Sequence, residues 1–139
     1  MVKTEELHVP TRGNNHVVNI TEEVARAVGR SGVRDGTVTV FHVGSTAGLT
    51  TTEFEPGLAE HDLEAAFERI APADGHYVHE QTWHDDNGHS HVRAALLGPS
   101  LCVPFVEGHL MLGTWQQIIL VDFDTRARKR TVICQIVGQ

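Results

Sequence analysis

The segment His84-Asp85-Asp86-Asn87-Gly88-His89-Ser90-His91-Val92-Arg93 crowds three imidazoles, two carboxylates, an amide and a guanidinium into ten residues. With His76 and His79, it brings five of the ten histidines into sixteen residues. Neutral imidazole is a common ligand for zinc, and carboxylates hold magnesium or manganese. The stretch therefore reads either as a metal site or as a polar surface loop without an ion. His89 and His91 can share a face only where the chain is extended; in a helix they diverge by about 200°. A third ligand has to come from elsewhere, and His79 and His84 are the nearest candidates. Arg93 follows His91 by two residues, close to an expected helix start. A cation beside free helix N–H groups makes a pocket for a phosphate or carboxylate. Asp86 and Asn87 read alternatively as a cap and turn pair, with Gly88 supplying a positive φ.

Two further groups carry polar chemistry. In "GSTAGLTTTEFE", Gly44, Ser45 and Thr46 at a strand end could present hydroxyl and N–H groups to an anion. Glu53 is a candidate acid or base, or a carboxylate supporting a ligand. The plainer alternative is a threonine-rich strand edge. No G-K-[ST] follows, so this is no P-loop, and no G-x-S-x-G elbow is present. In "LGTWQQI", Trp115 suits core packing, and Gln116 could reach a ligand or a subunit contact.

These residues must be positioned by a small framework. Residues 3–9 form a weak strand. The apolar spacing of Val24, Ala27 and Val28 predicts a helix, with Thr21 as N-cap and Gly29 or Gly32 at its end. "GTVTVFHV" (36–43) is an alternating, β-branched strand. Leu63, Ala66, Phe67 and Ile70 line one face of a helix over about 59–70, stopped by Pro72. "HSHVRAALLGPS" reads as a short helix ended by Gly98 and Pro99. "SLCVPFV", "HLMLGTWQQIILVDFD" and "KRTVICQIVG" are strands, with Pro104 at an edge or bulge. Strands outnumber helices, which predicts an α+β fold: a β-rich sandwich with a mainly antiparallel or mixed sheet and two to three helices.

A chain of 139 residues suits one domain over residues 1–139. The net charge of −7 argues against nucleic acid as a partner. Its one basic run, "RARKR" at 126–130, reads as a solvated hairpin turn or as an edge for an anionic ligand. No stretch approaches the roughly 18 apolar residues of a membrane span, and the N-terminus lacks a signal-peptide core. A cytoplasmic protein is expected. Cys102 and Cys134 each sit in an apolar run as small core residues, with no disulfide expected.

"STAGLTTTE", "DDNGHSHVRAALLGPSLCVPF", "GHLMLGTWQQIILVDFD" and "RKRTVICQIVG", in this order, resemble the YjbQ family of secondary thiamine-phosphate synthases over essentially the whole chain. The resemblance implies a compact α+β fold rich in antiparallel strands, and a homotrimer with sites near subunit boundaries. The implied reaction joins hydroxymethylpyrimidine diphosphate to a thiazole phosphate and releases pyrophosphate. The family's H-[ST]-[ST]-A falls on Gly44, Ser45, Thr46 and Ala47, so Gly44 stands where the family has histidine; His42 lies two residues upstream. The family carboxylate falls on Glu53, and its Tyr-x-His on Tyr77 and His79. Its Asp-[Asp/Asn]-x-x-x-His falls on Asp86, Asn87 and His91, and its Lys or Arg on Arg93. Many members carry proline in the place of His89. An imidazole lost at 44 and gained at 89 reads as a relocated ligand or as altered activity.

The resulting expectations are Glu53, Asp86, His91 and Arg93 in catalysis, with Ser45, Thr46, Asn87, Arg93 and Gln116 on a phosphorylated small-molecule substrate. His79, His89 and His91 would hold zinc or magnesium. Arg93, helix N–H groups and the cation would stabilise departing pyrophosphate. The alternative is a non-catalytic protein that binds a metal or a phosphorylated ligand and keeps the family fold.

Overall fold

The computed structural model describes residues 1–139. Eight strands form two sheets in which every pairing is antiparallel. The strands are β1 (Val2–Thr11), β2 (His16–Asn19), β3 (Gly36–His42), β4 (Ala47–Glu53), β5 (Ser100–Val106), β6 (His109–Leu110), β7 (Gln116–Asp122) and β8 (Arg128–Gly138). One sheet has the order β1-β8-β3-β5-β6, the other β2-β7-β4. Four α-helices complete the chain: α1 (Thr21–Ser31), α2 (Leu63–Ile70), α3 (Glu80–Trp83) and α4 (Gly88–Leu97), with a π-helical turn at Leu58–Asp62 leading into α2. The expected α+β antiparallel architecture is present. It carries one helix more than the two to three segments expected, because α3 lies in polar sequence without apolar periodicity; the π turn and α2 together make up the helix expected over about 59–70.

β7 shows how the layers are built. Ile118 and Leu120 join the main core with Val38 and Val40 of β3, Val132, Cys134 and Ile136 of β8, and Val24, Ala27 and Val28 of α1. Ile119, Val121 and Phe123 turn to the other side and meet Ala59, Phe67, Ala94 and Leu97 of the helices. A strand buried on both faces reads as a continuous apolar run, as "IILV" does. Phe67 meets Phe123 edge to face with centroids 4.8 Å apart, a geometry contributing about 0.5–1.5 kcal/mol beyond burial. The order of layers is thus five-stranded sheet, three-stranded sheet, then α2 and α4.

Local details refine the sequence reading. α1 ends at Gly32, which is left-handed at φ 73°. Thr21 does not cap it: Thr21 is the first helical residue, and Asn19 Oδ1 accepts from its N–H and hydroxyl. The threonine-rich segment after β3 forms the regular strand β4. Pro104 lies on β5 where the β6 pairing ends: its carbonyl accepts from the Met111 N–H at 2.9 Å, and its missing N–H falls on that same edge side. Cys134 is buried, and burial pushes its thiol up to about 11. Cys102 is exposed, contrary to the expected core position, because Val103 and Phe105 take the inward face of β5. No helix is long and apolar enough to cross a membrane.

Candidate functional site

His79, Asp85 and His91 converge so that one ligand atom from each lies within 4.8 Å of the others. His79 immediately precedes α3, Asp85 lies in the turn after it, and His91 stands in the first turn of α4. Two left-handed residues bracket Asp85, His84 at φ 52° and Asp86 at φ 57°. His and Asp tolerate this region better than most side chains, and the two bends fold the turn back over α4. Gly88 does not supply the positive φ; it opens α4. A Cβ there would meet Tyr77 Cβ at 2.5 Å and Glu80 Oε2 at 2.7 Å, so glycine permits Tyr77 and α3 to close on the helix start.

Each member of the trio has a defined hydrogen-bonding environment. His91 Nδ1 lies 3.0 Å from the Ser45 carbonyl. A carbonyl only accepts, so Nδ1 carries the proton and Nε2 keeps its lone pair. His79 Nε2 is buried, makes no hydrogen bond, and stands 3.3 Å from Asp85 Oδ1. For Asp85, burial pushes the carboxyl up, but the Asn87 N–H and His79 outweigh it and hold the group below its ordinary range. Zinc ligands at about 2 Å from the ion stand roughly 3.3 Å apart in a tetrahedron. The His79–Asp85 spacing of 3.3 Å fits that, and His91 lies within 4.8 Å of both. Two imidazoles and a carboxylate leave a coordination position open.

Beside the trio lies a buried polar network. Arg130 donates through Nε and Nη2 to both oxygens of Asp122 (2.6 and 2.8 Å) and through Nη2 to the Thr46 hydroxyl (2.6 Å). Thr46 donates to Asp124 and Thr11 to Asp122. Asp124 also takes Arg128 and the Asn87 amide. Burial raises the Asp124 carboxyl, but Thr46, the Arg126 N–H, Asn87 and Arg128 together hold it low. Ser90 ties α4 to this network: its hydroxyl donates to the Phe123 carbonyl at 2.6 Å and lies 2.8 Å from Asn87 Oδ1.

The expected residues divide. His79 and His91 come together, with the Ser45 carbonyl behind His91. His89 does not join them: α4 begins at Gly88, so the two-residue spacing turns His89 to another side. There it is buried beside Tyr77, Glu80 and Asp86, and burial followed by Arg93 lowers its pKa. Asp86, expected in catalysis, lines that same small cavity, and Asp85 stands beside His79 and His91 where His89 was expected as the third ligand. Arg93 forms no anion pocket. It is 4% exposed, donates to the Ala71 carbonyl and pairs with Glu68 at 2.7 Å. The Gly88 N–H at the helix start is taken by Glu80 at 2.6 Å. Thr46 and Asn87 spend their polar atoms inside the network. Glu53 and Gln116 pair at the far end of β4, six residues or about 20 Å from Ala47. There Gln116 accepts from the Gly113 N–H and donates to Thr51.

Asp122, Asp124, Thr11 and Arg130 were not foreseen, and Arg130 does not belong to a solvated turn. Thr11 follows Leu7 and Val9, His42 follows Val38 and Val40, Asp122 follows Ile118 and Leu120, and Arg130 precedes Val132 and Cys134. All extend a period-two inward face. His42 is fully buried with neither ring nitrogen hydrogen-bonded, and burial and then Arg130 lower its pKa. Its Cε1 and Nε2 lie 2.7 and 3.0 Å from where a Cβ on residue 44 would stand. The His42 ring thus fills the space a side chain at Gly44 would need. The largest cavity, about 590 Å³, is lined by Arg12, Asn15, His16 and Glu60 among others and contains no member of the trio.

Comparison with known proteins agrees with this fold. The sequence pattern of the UPF0047 protein YjbQ-like family matches residues 5–139. A UPF0047 protein of Methanothermobacter thermautotrophicus is 36% identical over 138 residues, 99% of this chain and 94% of that protein. The crystal structure of a YbjQ-like protein of unknown function from Sulfolobus solfataricus P2 superposes with a TM-score of 0.94 at 32% identity, covering 100% of this chain and 99% of that one. A conserved YjbQ/UPF0047 protein of Clostridium acetobutylicum gives 0.86 at 34% identity over 96% and 99% of the two chains. With a family match over nearly its whole length and relatives of this identity, the chain belongs to the YjbQ/UPF0047 family.

Proposed function

We propose that this chain is a cytoplasmic, metal-dependent enzyme acting on a phosphorylated small molecule, with thiamine-phosphate formation as its reaction. The observation that carries this reading is the convergence of His79, Asp85 and His91, with a buried His79 Nε2 that makes no hydrogen bond and stands 3.3 Å from Asp85 Oδ1. Two imidazoles among three donors favour zinc over magnesium, which prefers oxygen ligands. When bound, such an ion neutralises charge on a departing phosphate or pyrophosphate. The chain's own part is positional. Asp85 and the two histidines supply donors, and Ser45 keeps the His91 tautomer. Displacement of pyrophosphate by a thiazole nitrogen requires no proton shuttle, so imidazoles serve here as ligands. The exposed free thiol of Cys102 suits a reducing compartment.

A non-catalytic metal-binding protein is the second reading. It is favoured by the internal use of Arg93 and the Gly88 N–H, two groups that would otherwise have faced the leaving group. A homotrimer is part of the proposal, supported by exposed Phe41 and Val43 at the end of β3 and exposed Val92 and Leu96 on α4. Sedimentation of the purified chain tests it, and a monomer would count against it. The functional test supplies zinc-loaded and chelator-treated protein with the pyrimidine diphosphate and thiazole phosphate. Zinc-dependent thiamine phosphate supports the enzyme; stoichiometric zinc without product supports the binding protein.

A further inference from the structure

A second cavity adjoins the trio and shares His91 with it. It measures about 390 Å³ and is lined by Gly44, Ser45, Ala47, His91, Ala94, Ala95 and Pro99. Apart from His91 and Pro99, every lining residue is glycine, alanine or serine, and none carries a fixed charge. Its floor is Ala47 and Ala94, both buried, while Ala95 and Pro99 form an exposed rim. The rim is pinned: the His42 N–H donates to the Pro99 carbonyl at 2.8 Å, and the Leu49 N–H to the Gly98 carbonyl at 3.0 Å. At Gly44 the His42 ring occupies the side-chain space, so this part of the wall remains bare backbone.

An apolar hollow opening beside a group of metal donors suits a ligand with two unlike ends. We propose that this cleft takes the ring or short hydrocarbon portion of a small molecule whose anionic group is held at His79, Asp85 and His91. The proposal rests on the metal reading of the trio. It adds where the apolar body of a compact anionic substrate lies, bounded by alanine methyl groups and limited in size by the side chain at position 95. Transfer of a ring from water to such a surface strengthens binding in proportion to the apolar area removed from water.

Titration calorimetry on the full chain tests this, using zinc, methylphosphonate and benzylphosphonate as probes. The zinc-loaded protein is expected to bind benzylphosphonate about tenfold or more tightly than methylphosphonate. Ala95→Leu, which fills the cleft from its exposed rim, should abolish that preference and leave the affinities for zinc and methylphosphonate unchanged. Ala95→Ser, close to alanine in size, should retain it. Equal affinities for the two phosphonates, binding of neither, or a preference that survives Ala95→Leu would overturn the cleft while the metal reading stands. A chain that binds no zinc would overturn both.

Discussion

Two polar clusters meet at one end of the three-stranded sheet, and adjacent residues are divided between them. Ser45 serves the His79–Asp85–His91 trio and Thr46 the Asp122–Asp124–Arg130 network; Asp85 goes to the first and Asn87 to the second; His91 to the first and Ser90 to the second. The clusters are similar in chemistry and opposite in saturation. In the network, both Asp122 oxygens and both Asp124 oxygens have internal partners. In the trio, His79 Nε2 makes no hydrogen bond and has Asp85 Oδ1 beside it at 3.3 Å, and the three residues are only half-buried. A satisfied buried cluster has nothing left to offer a ligand, so its role is to hold β1, β4, β7, β8 and α4 in register. An unsatisfied one beside open space has donors to give.

The largest effect should come from breaking the saturated cluster. Arg130→Met leaves Asp122 fully buried and without its cation, and loss of one partner from a buried pair costs about 3–5 kcal/mol. Chemical denaturation should register a loss of that size. A loss below about 1 kcal/mol would mean that the network is not the fastener described.

Breaking the open cluster should do the reverse. His79→Ala or His91→Ala is expected to weaken zinc binding by about a hundredfold or more, exceeding what loss of a supporting contact costs. Thermal stability of metal-free His79→Ala should barely change, since His79 makes no internal hydrogen bond through Nε2, while His91→Ala should lose about 0.5–1.5 kcal/mol with its bond to the Ser45 carbonyl. Arg93→Leu sharpens the contrast: it should destabilise by about 1–3 kcal/mol through the stranded Ala71 carbonyl and leave zinc affinity unaltered.

His42 gives a smaller, pH-dependent effect. Its folded pKa is depressed, first by burial and then by Arg130, with Asp122 and the Ala47 backbone opposing. The unfolded chain therefore binds a proton that the folded one resists. That stability is fully present above about pH 6.5 and is lost as pH falls below it, toward the folded pKa. Metal-free protein should melt progressively lower between pH 6.5 and 5. His42→Leu should flatten that slope, and an unchanged slope would assign the effect to His16 or His89, which are depressed in the same direction.

Much of this was legible in residue order. The inward alternation of β3 and the double-sided apolar run of β7 announce themselves, and the crowding of imidazoles at 76–91 marks the turn where His79, Asp85 and His91 converge. What remained hidden depends on backbone conformation. Asp85 and Asp86 are equivalent as a pair of letters; only the left-handed bends at His84 and Asp86 decide which carboxylate faces His79. His89 was separable from His91 by helical spacing alone once α4 was known to begin at Gly88. Arg130 looked like one charge in a basic turn. Its place two residues before Val132 on an inward face was the available signal, outweighed by the expectation that arginines near a hairpin are solvated.

The central claim is that the donor atoms at His79, Asp85 and His91 form one site. The measurement that tests it most directly is zinc titration of the wild-type chain beside Asp85→Ala and Asp86→Ala. One zinc per chain, lost in Asp85→Ala and retained in Asp86→Ala, is the result predicted. Equal retention in both variants, or loss confined to Asp86→Ala, would contradict it.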